Sequence, residues 1–534
     1  MPRTPLFSFP SPLPIDAVLP RVASELEQNP RLILEAAPGA GKTTRVPLAL
    51  YQSPWLGGRK IVMLEPRRLA ARAAARYMAR LLGEDVGRTV GYRTALDGRE
   101  SEQTRILVVT EGILTRLIQA DPDLKGVGCL IFDEFHERSL HADLGLALSL
   151  ECQQALRPDL RLVVMSATLA SDPLVRLLYP CSRLALEGRG FPVAVRYLAP
   201  ARPGLSCEEQ ALAAIYLALR EESGSLLVFL PGAAEIRRTA MRLAPAALPR
   251  GAVVLPLYGD LSSAAQDAAV APSAPGERKI VLATNIAESS LTIEGVRIVI
   301  DAGLVRRQRV DPALGMNRLV TERVSRASAE QRCGRAGRSE PGLCLRLWPE
   351  HEQAALQART RPDILDSDLA SLCLELAVWG VPVADAPPDG LPFLDAPPEP
   401  AWRQAVRLLR DLGALDAAGR ATARGRAIAV LPLHPRLAHM VLEGAKNGLG
   451  VTACALAALL SERDPLRTGD GPAASQTGAD VGPRLALLLD DPRTDAPRSE
   501  SGLLRRLREQ MRRIAARAGI DLPRAGREAA ETAS

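Results

Sequence analysis

The sequence is poor in aromatic residues and has no long apolar run. Phe, Trp and Tyr make up 3% of the 534 residues, so the cores of the protein must be built mostly from aliphatic side chains. No apolar run approaches the roughly 18 residues that a membrane-spanning helix needs. Prolines interrupt the N-terminal residues, which lack the apolar segment of a signal peptide. These absences predict a cytoplasmic protein without a membrane segment.

The sequence also lacks paired cysteines and contains few lysines. The eight cysteines are scattered and form no CxxC pair, which argues against a structural zinc site and against a disulfide framework. Only five of the 67 basic residues are lysine, and we attribute this bias to genomic base composition. The net charge of +6 and the pI of about 9.0 permit a polyanionic partner without requiring one.

A pair of acids directly after an apolar run forms the first candidate site. Asp133 and Glu134 follow the run Cys129–Phe132, as at the end of a buried strand. The first carboxylate could hold Mg²⁺ through its water shell, and the second could orient and deprotonate an attacking water. Alone, such a string of residues is weak evidence for a catalytic site, because it also arises by chance on exposed loops. It gains weight from a candidate phosphate loop upstream.

The candidate phosphate loop is a glycine-rich turn between a strand and a helix. Residues 31–35 are typical of a strand, and the turn AAPGAGKT at 36–43 leads into an apolar helix. Backbone N–H groups at such a helix start face phosphates. Lys42 would reach the β- and γ-phosphates, and the Thr43 hydroxyl would bind magnesium. Ala36 replaces the first glycine of the pattern. A tight turn with a solvated lysine is the weaker alternative in this context.

Strands and helices alternate through two successive parts of the chain. This alternation predicts parallel sheets of the doubly wound type, whose ligands bind at the carboxyl ends of the strands. The first part has predicted strands at 31–35, 61–64, 106–109, 129–132 and 162–165, and the second at 226–229, 253–255, 279–282 and 297–301. Only the first part contains a phosphate loop.

The second part ends in an arginine-rich segment, QRCGRAGR, at residues 331–338. Arg332, Arg335 and Arg338 are three residues apart, so a helix would present them on one face. A solvated basic helix end is the simpler alternative. The embedded glycines favour a set of arginine fingers, which the second part would offer to a γ-phosphate held by the first.

After about residue 350, proline-rich stretches separate short helices. Helices are predicted at 402–412, 450–460 and 503–518, and a small helical or winged element at 422–431, with a mobile segment at 465–500 and a disordered end. The helix at 503–518 is strongly basic. It could touch a phosphate backbone, but a solvated charged face is the simpler interpretation.

Together these motifs resemble those of the DEAH-box branch of superfamily 2 helicases. The resemblance covers roughly residues 15–465 and is highly specific, because the motifs occur in family order. They are APGAGKTT (37–44), EPRRLAAR (65–72), TEGIL (110–114), DEFHER (133–138), SAT (166–168), LVFLPG (227–232), TNIAESSLTI (284–293) and QRCGRAGR (331–338). The resemblance implies an α/β protein with two RecA-like doubly wound parallel-sheet domains in tandem, followed by a mostly helical winged-helix and ratchet region.

The resemblance also implies domain bounds. We expect a lead-in at 1–20, which we interpret as extended, RecA-like domains at 21–190 and 191–355, a winged-helix-like domain at 356–432, a ratchet-like region at 433–520 and a tail at 521–534.

Motif by motif, the resemblance implies the following roles. ATP would be bound by Pro38, Gly39, Ala40, Gly41, Lys42, Thr43 and Thr44, and Mg²⁺ by Thr43 and Asp133. Catalysis would involve Asp133, Glu134 as base, Gln331, Arg335 and Arg338. Coupling between hydrolysis and movement would involve His136, Ser166 and Thr168. The nucleic-acid backbone would meet Arg67, Arg68, Thr110, Glu111, Gly112, Thr284 and Asn285.

The implied activity is ATP-driven 3′-to-5′ movement of a monomer along single-stranded RNA or DNA, without sequence preference. Leu304 follows Gly303 where the family often has an aromatic that stacks on the base, and no Q-motif precedes the phosphate loop. Loose nucleotide selectivity is therefore expected. The family's nearest members usually have a further C-terminal domain. A chain ending at residue 534 is therefore expected to be a fragment, a short variant or a degraded reading frame.

Two alternatives remain open. A nucleic-acid-binding scaffold would retain ATPase activity without productive unwinding. A phosphate-loop ATPase acting on protein or small molecules is disfavoured by the joint presence of QRCGRAGR and SAT.

Overall fold

The structure is a computed structural model of the chain. It describes residues 9, 11–95, 97–167, 172–186, 190–199, 204–243, 248–289, 293–311, 316–338, 340–388, 390–462, 480–489 and 502–522. The chain divides into two compact units, Met1–Ser367 with Leu391–Ala396, and Asp368–Gly390 with Pro397–Ser534. The first unit contains two lobes built on parallel sheets, and the second is helical. The predicted fold class is confirmed.

The first lobe is built on an eight-stranded sheet with the order β4-β3-β5-β2-β6-β7-β1-β8. All neighbours are parallel except the pair β3–β4. The central strands read as continuous aliphatic runs because helices cover both faces of the sheet. The strands are β1 (Arg31–Ala36), β2 (Lys60–Leu64), β3 (Val90–Arg93), β4 (Gly98–Arg99), β5 (Ile106–Val109), β6 (Val127–Phe132), β7 (Arg161–Ser166) and β8 (Ser182–Leu186).

The helices of this lobe are amphipathic or almost wholly apolar. In α3, alanines and Met78 face the sheet while arginines face outward. The helices are α1 (Leu19–Gln28), α2 (Lys42–Leu50), α3 (Arg68–Leu81), α4 (Glu111–Ala120), α5 (Leu140–Ala155) and α6 (Asp172–Leu177), with 3₁₀ turns at Pro14–Ala17, Pro54–Leu56 and Phe135–Glu137.

The second lobe has a six-stranded parallel sheet with the order β11-β12-β10-β13-β16-β9. Its strands are β9 (Val193–Tyr197), β10 (Ser225–Phe229), β11 (Ala252–Leu257), β12 (Arg278–Ala283), β13 (Val296–Asp301) and β16 (Gly342–Arg346). Its helices are α7 (Cys207–Glu221), α8 (Ala233–Arg242), α9 (Ser263–Val270), α10 (Arg326–Cys333) and α11 (Glu350–Ala355).

An antiparallel hairpin projects from the second lobe. Its strands, β14 (Leu304–Asp311) and β15 (Met316–Arg323), pair along eight residues each and belong to neither large sheet. No strand is predicted here from the sequence, because the hairpin interrupts the alternation of strands and helices on which the prediction of strands rests.

The link between the lobes joins the edge strand β8 to the edge strand β9. On this link, the Phe191 N–H donates to the Gly337 carbonyl at 2.9 Å. A Cβ atom at Gly337 would lie 2.5 Å from the Phe191 carbonyl oxygen. Only glycine fits such a close backbone approach, so the link and the arginine-rich segment 331–338 are packed as one piece.

The second unit consists of helices α12 (Ala370–Trp379), α13 (Glu399–Asp411), α14 (Ala423–Val430), α15 (Pro435–Lys446), α16 (Gly450–Ser461), α17 (Gly482–Leu489) and α18 (Gly502–Ala518). A single bridge pairs Leu415 with Ala421 just before α14. The helices predicted at 402–412, 450–460 and 503–518 are confirmed, and the element predicted at 422–431 contains the helix α14.

Three expectations about order need comment. The lead-in is not extended throughout, because Pro14–Ala17 forms a 3₁₀ turn and α1 begins at Leu19. Within the segment predicted to be mobile, residues 480–489 are described and contain α17, while the rest lies outside the described residues. The tail lies outside them from residue 523 onward. In the described part of the chain, no helix is long and apolar enough to cross a membrane.

Two glycines of the second unit give a matched test of backbone geometry. Gly419 and Gly448 have nearly the same left-handed φ, 75° and 74°. A Cβ at Gly419 would lie 2.2 Å from the Val383 carbonyl oxygen, whereas a Cβ at Gly448 would have no atom within 4 Å. Gly448→Ala should therefore lower the free energy of unfolding by about 1 kcal/mol. Gly419→Ala should cost at least twice as much, as measured by urea denaturation. Equal losses would contradict the steric argument.

Candidate active site

The phosphate loop wraps around the amino group of Lys42. Gly39 and Gly41 have φ values of 82° and 98°, which glycine adopts without strain, and α2 begins directly after them. Lys42 is almost fully buried, and its Nζ donates to the carbonyl of Ala36 at 2.6 Å. Ala36, the departure from the sequence pattern, ends β1 and contributes only its backbone. Pro38, Ala40 and Thr44 lie on the same loop and first helical turn.

The Thr43 hydroxyl donates to Asp133 Oδ2 at 2.5 Å, so two hard oxygen atoms stand side by side. Among the described residues, no group of three or more His, Cys, Asp or Glu side chains could hold a metal alone. This donor set fits Mg²⁺, which is commonly held by one or two protein oxygens plus phosphate and water. Thr43 and Asp133 would hold it, and the ion would neutralise phosphate charge.

Glu134 stands next to Asp133 in a strained conformation. Its φ is 49°, in the left-handed region that a non-glycine residue rarely occupies, and its N–H donates to Asp133 Oδ1 at 2.9 Å. The side chain is 5% exposed. Among the described residues Oε2 has no hydrogen-bond partner, although His136 Nδ1 lies 3.4 Å away. A buried carboxylate oxygen in this position is suited to accept a proton from water.

The pKa values of the two adjacent acids are shifted in opposite directions. Burial and the charge of Glu134 raise the pKa of Asp133. Burial also acts to raise the pKa of Glu134, but nearby cationic side chains, Lys42 above all and also Arg335, outweigh it, so this pKa lies below its ordinary value. Glu134 is therefore ionised at neutral pH, as a base must be.

His136 connects the two lobes at this site. Its Nε2 lies 2.8 Å from the side-chain amide of Gln331 in the second lobe, and its Nδ1 lies 3.3 Å from the Ala167 N–H in the first. Ser166 is buried at the end of β7. Thr168 lies outside the described residues. His136, itself part of the DEFHER motif, thus contacts residues of the SAT and QRCGRAGR motifs as well.

The three arginines of QRCGRAGR do not share a helix face, so that prediction is wrong. Helix α10 ends at Cys333, and the following residues form turns. The Arg338 side chain reaches the first lobe, where a Cβ at Gly39 would lie 3.5 Å from its Nε. Burial lowers the pKa of Arg338 to about 10, while the charge of Glu134 opposes the shift. Arg335 is buried and donates to the carbonyls of Glu288 and Ser289.

Arg332 has a different environment. It is 1% exposed, and it donates to Glu288 Oε2 and to Asp301 Oδ1, both at 2.8 Å. It also lies over the Phe229 ring, 4.9 Å from the centroid. These contacts fix the segment after β12 to the end of β13. Arg332 therefore stabilises the second lobe and does not face the phosphate loop.

A cavity of about 540 Å³ lies between the lobes beside this site. Arg67 and Asn285, both predicted to meet nucleic acid, line it. Arg67 forms a two-pronged ion pair with Glu137 at 3.1–3.3 Å, and the Ser289 hydroxyl of the second lobe donates to the same carboxylate at 2.5 Å. The cavity wall is thus held by a contact that crosses between the lobes.

The other predicted nucleic-acid residues follow strands of both lobes, β2 and β5 in the first and β12 in the second. Thr110 is the N-cap residue of α4, and Gly112 is exposed in its first turn. Glu111 accepts a hydrogen bond from Ser139. Thr284 accepts from the Ile286 N–H at 3.5 Å, and Arg68 is exposed at the start of α3.

The sequence analysis missed the arginines of the hairpin. Arg306, Arg307 and Arg309 on β14 and Arg323 on β15 line the cavity. Arg307 pairs with Asp363 at 2.7 Å. The run Val305–Val310 reads VRRQRV, and its density of arginine beside β-branched residues was the available signal.

Family models match three segments of the chain. Residues 18–176 match the DEAD/DEAH box helicase model, residues 208–340 match the helicase conserved C-terminal domain, and residues 405–433 match the helicase-associated winged-helix domain HA2. The chain is also 47% identical over 460 residues to the ATP-dependent RNA helicase HrpB of Escherichia coli strain K12. The chain belongs to the DEAD/DEAH-box helicases.

Another relative and two solved structures support this family assignment. The ATP-dependent RNA helicase HrpA of the same organism is 36% identical over 474 residues, which are 86% of this chain and 36% of HrpA. Two crystal structures of E. coli HrpB match with TM-scores of 0.78 and 0.80 at 43% and 44% identity, covering 96% and 94% of this chain. The matches span 56% of the curated HrpB and 59% and 63% of its crystallised chains.

Glu111, in the first turn of α4, is a carboxyl group whose pKa lies near neutrality. Burial raises the pKa of Glu111 to about 7, while the Ser139 hydroxyl acts against the shift and the nearby charges of Glu137 and Asp363 support it. Because the folded pKa lies above the unfolded one, Glu111 contributes most to stability below its unfolded pKa, about 4.5. That contribution is lost as the pH rises through 7.

The Glu111→Gln variant should remove this pH dependence. The difference in free energy of unfolding, variant minus wild type, should be more positive at pH 8 than at pH 5.5, because the amide cannot ionise. Urea denaturation without nucleic acid at both pH values measures the difference. A constant difference between the two proteins would show that Glu111 does not titrate in this range.

Proposed function

We propose that the chain is an ATP-dependent RNA helicase or translocase of the DEAH type. The observation that carries the proposal is a site shared between two lobes. Lys42, Asp133 and Glu134 come from the first lobe, and Gln331 and Arg338 come from the second. ATP bound in the phosphate loop would therefore meet groups from both lobes, and its hydrolysis would alter how the lobes contact each other.

Each residue has a role that follows from its surroundings. The loop N–H groups and Lys42 bind the phosphates, and Thr43 and Asp133 hold Mg²⁺. Glu134 accepts the proton of the attacking water, and Gln331 helps to place that water through its contact with His136. Arg335 and Arg338 act as the fingers that stabilise charge on the γ-phosphate. Arg338 already lies beside Gly39.

RNA would occupy the cavity between the lobes. The relatives HrpB and HrpA are named RNA helicases, and arginines from both lobes line the cavity. Backbone contacts of this kind make binding independent of sequence and sensitive to salt. By family resemblance, a cytoplasmic monomer would move 3′-to-5′ along a single strand. Leu304 in place of an aromatic supports loose selectivity for the nucleotide base.

The second candidate is a nucleic-acid-binding scaffold with ATPase activity but no productive unwinding. The observation behind it is the cavity lined by arginines, because such a lining could bind a nucleic-acid backbone without productive unwinding. Strand displacement with 3′- and 5′-tailed duplexes distinguishes the candidates. The helicase should separate only the 3′-tailed duplex, and the scaffold should separate neither.

The first measurement is steady-state ATPase activity with and without single-stranded RNA. The wild type should be strongly stimulated, whereas Glu134→Gln should bind nucleotide and RNA without turnover, because the amide cannot accept a proton. Lys42→Ala should lose nucleotide binding. An RNA-independent rate no higher than that of Glu134→Gln would exclude the motor function.

Arg335→Ala tests the arginine finger. Its turnover should fall by a factor on the order of a thousand, because a finger stabilises only the transition state. A pair of lysine variants separates a structural role from a catalytic one. Arg332→Lys should lower the melting temperature more than Arg335→Lys, because Arg332 holds two acids of its own lobe. Near-normal turnover of a folded Arg335→Ala protein would remove this arginine from the mechanism.

A further inference from the structure

The chain ahead of the first helix crosses the back of the phosphate loop. We call residues 9–17, of which residue 10 lies outside the described residues, the N-terminal strap. The Ile15 N–H donates to the Ala40 carbonyl of the loop at 3.1 Å. A Cβ at Gly41 would lie 2.8 Å from Leu13 Cδ1 and 3.0 Å from Ile15 Cγ2. The strap therefore lies in direct contact with the loop.

The contact with Ala40 orients an N–H group. The Ala40 carbonyl and the Gly41 N–H belong to one planar trans peptide, in which the two groups point in opposite directions. A hydrogen bond that holds the carbonyl toward the strap therefore directs the N–H away from it. The amides at this helix start are the groups that bind phosphate. The strap thus fixes one of the donors on which nucleotide affinity depends.

A second contact holds the helix that follows the loop. Arg45, one turn beyond Lys42, is fully buried, and its guanidinium lies 3.8 Å from the centroid of the Phe9 ring. One terminal nitrogen donates to the Ser11 carbonyl at 2.9 Å, and the other lies 3.8 Å from Asp16 Oδ2. Among the described residues, the remaining N–H groups of Arg45 have no hydrogen-bond acceptor. The ring therefore supplies a large share of the stabilisation of this buried cation.

The strap itself is anchored in the first lobe. Ile15 is fully buried in the core of that lobe. Asp16 Oδ2 accepts the Leu13 N–H at 2.8 Å, which closes the turn that presents Ile15 to the loop. The strap can therefore transmit a fixed position to both Ala40 and Arg45.

We propose that Phe9, Ile15 and Asp16 are positioning residues for nucleotide binding, which set the affinity of the phosphate loop for nucleotide and not the rate of hydrolysis. The proposal rests on the proposed binding of ATP by this loop. The hydrogen bonds described for Asp133, Gln331 and Arg335 go to partners outside the strap, namely Thr43, His136 and the carbonyls of Glu288 and Ser289. Loosening the strap should therefore weaken the ground state and the transition state equally, which raises KM and leaves kcat unchanged.

The test uses the full chain with the variants Phe9→Leu and Asp16→Asn. Phe9→Leu removes the ring face and keeps apolar bulk, and Asp16→Asn removes the charge and keeps an acceptor for Leu13. Direct binding of Mg-ADP by calorimetry should show Kd raised about fivefold for Phe9→Leu, with KM for ATP raised equally and kcat within twofold. Phe9→Tyr retains a ring and should restore both constants.

Trp55→Leu is the matched control. It removes a ring that lies 5.6 Å from the Arg161 guanidinium in the same lobe. Arg161 begins β7, so this pair lies at the opposite end of the strands from the phosphate loop. The control should lower the melting temperature without changing Kd or KM.

Unchanged Mg-ADP affinity in Phe9→Leu, or an equal loss in Trp55→Leu, would overturn the proposal. A fall in kcat at constant KM would overturn it as well. Failure of the proposed function gives a different result. A wild type that binds Mg-ADP but hydrolyses no ATP would refute the motor, while a raised Kd in Phe9→Leu would still support the role of the strap.

Discussion

The structure depends on how two neighbouring carboxylates are kept buried. Asp133 and Glu134 lie at the end of one strand, both almost inaccessible to solvent. Buried charges are costly unless opposite charges or hydrogen bonds compensate them. Here the compensation comes from the Lys42 ammonium in the loop and from Arg335 in the other lobe. A cation of the second lobe therefore compensates part of the buried negative charge of the first lobe.

The arginine-rich segment shows how such a balance is divided among similar side chains. Arg332 lies inside the helix and binds two acids of its own lobe, whereas Arg335 and Arg338 lie in the turns beyond it. The distinction comes from where the helix ends. Gly337 permits the close approach of the Phe191 carbonyl, and the chain turns there toward the first lobe. Three identical side chains thus have two different environments.

Local chemistry explains which features could be predicted from the sequence. The phosphate loop, the acid pair and the positions of the central parallel strands along the chain follow from short motifs and apolar runs. The end of α10 at Cys333 was missed, because a period of three residues fits a helix unless a distant backbone contact stops it. The hairpin β14–β15 and the strap were missed for the same reason. Their positions are set by residues far away in sequence, such as Asp363 for Arg307 and Ala40 for Ile15.

The link between the lobes has a mechanical consequence. It runs from one edge strand to another, so a rotation of one lobe about it would break no strand pairing in either sheet. Yet Phe191 on this link is bound to Gly337, the residue before Arg338. The guanidinium beside Gly39 is therefore attached, through one residue, to the pivot itself. Because a rotation displaces groups in proportion to their distance from its axis, a rotation about this link would move the backbone of Arg338 less than it moves the far edge of the second lobe.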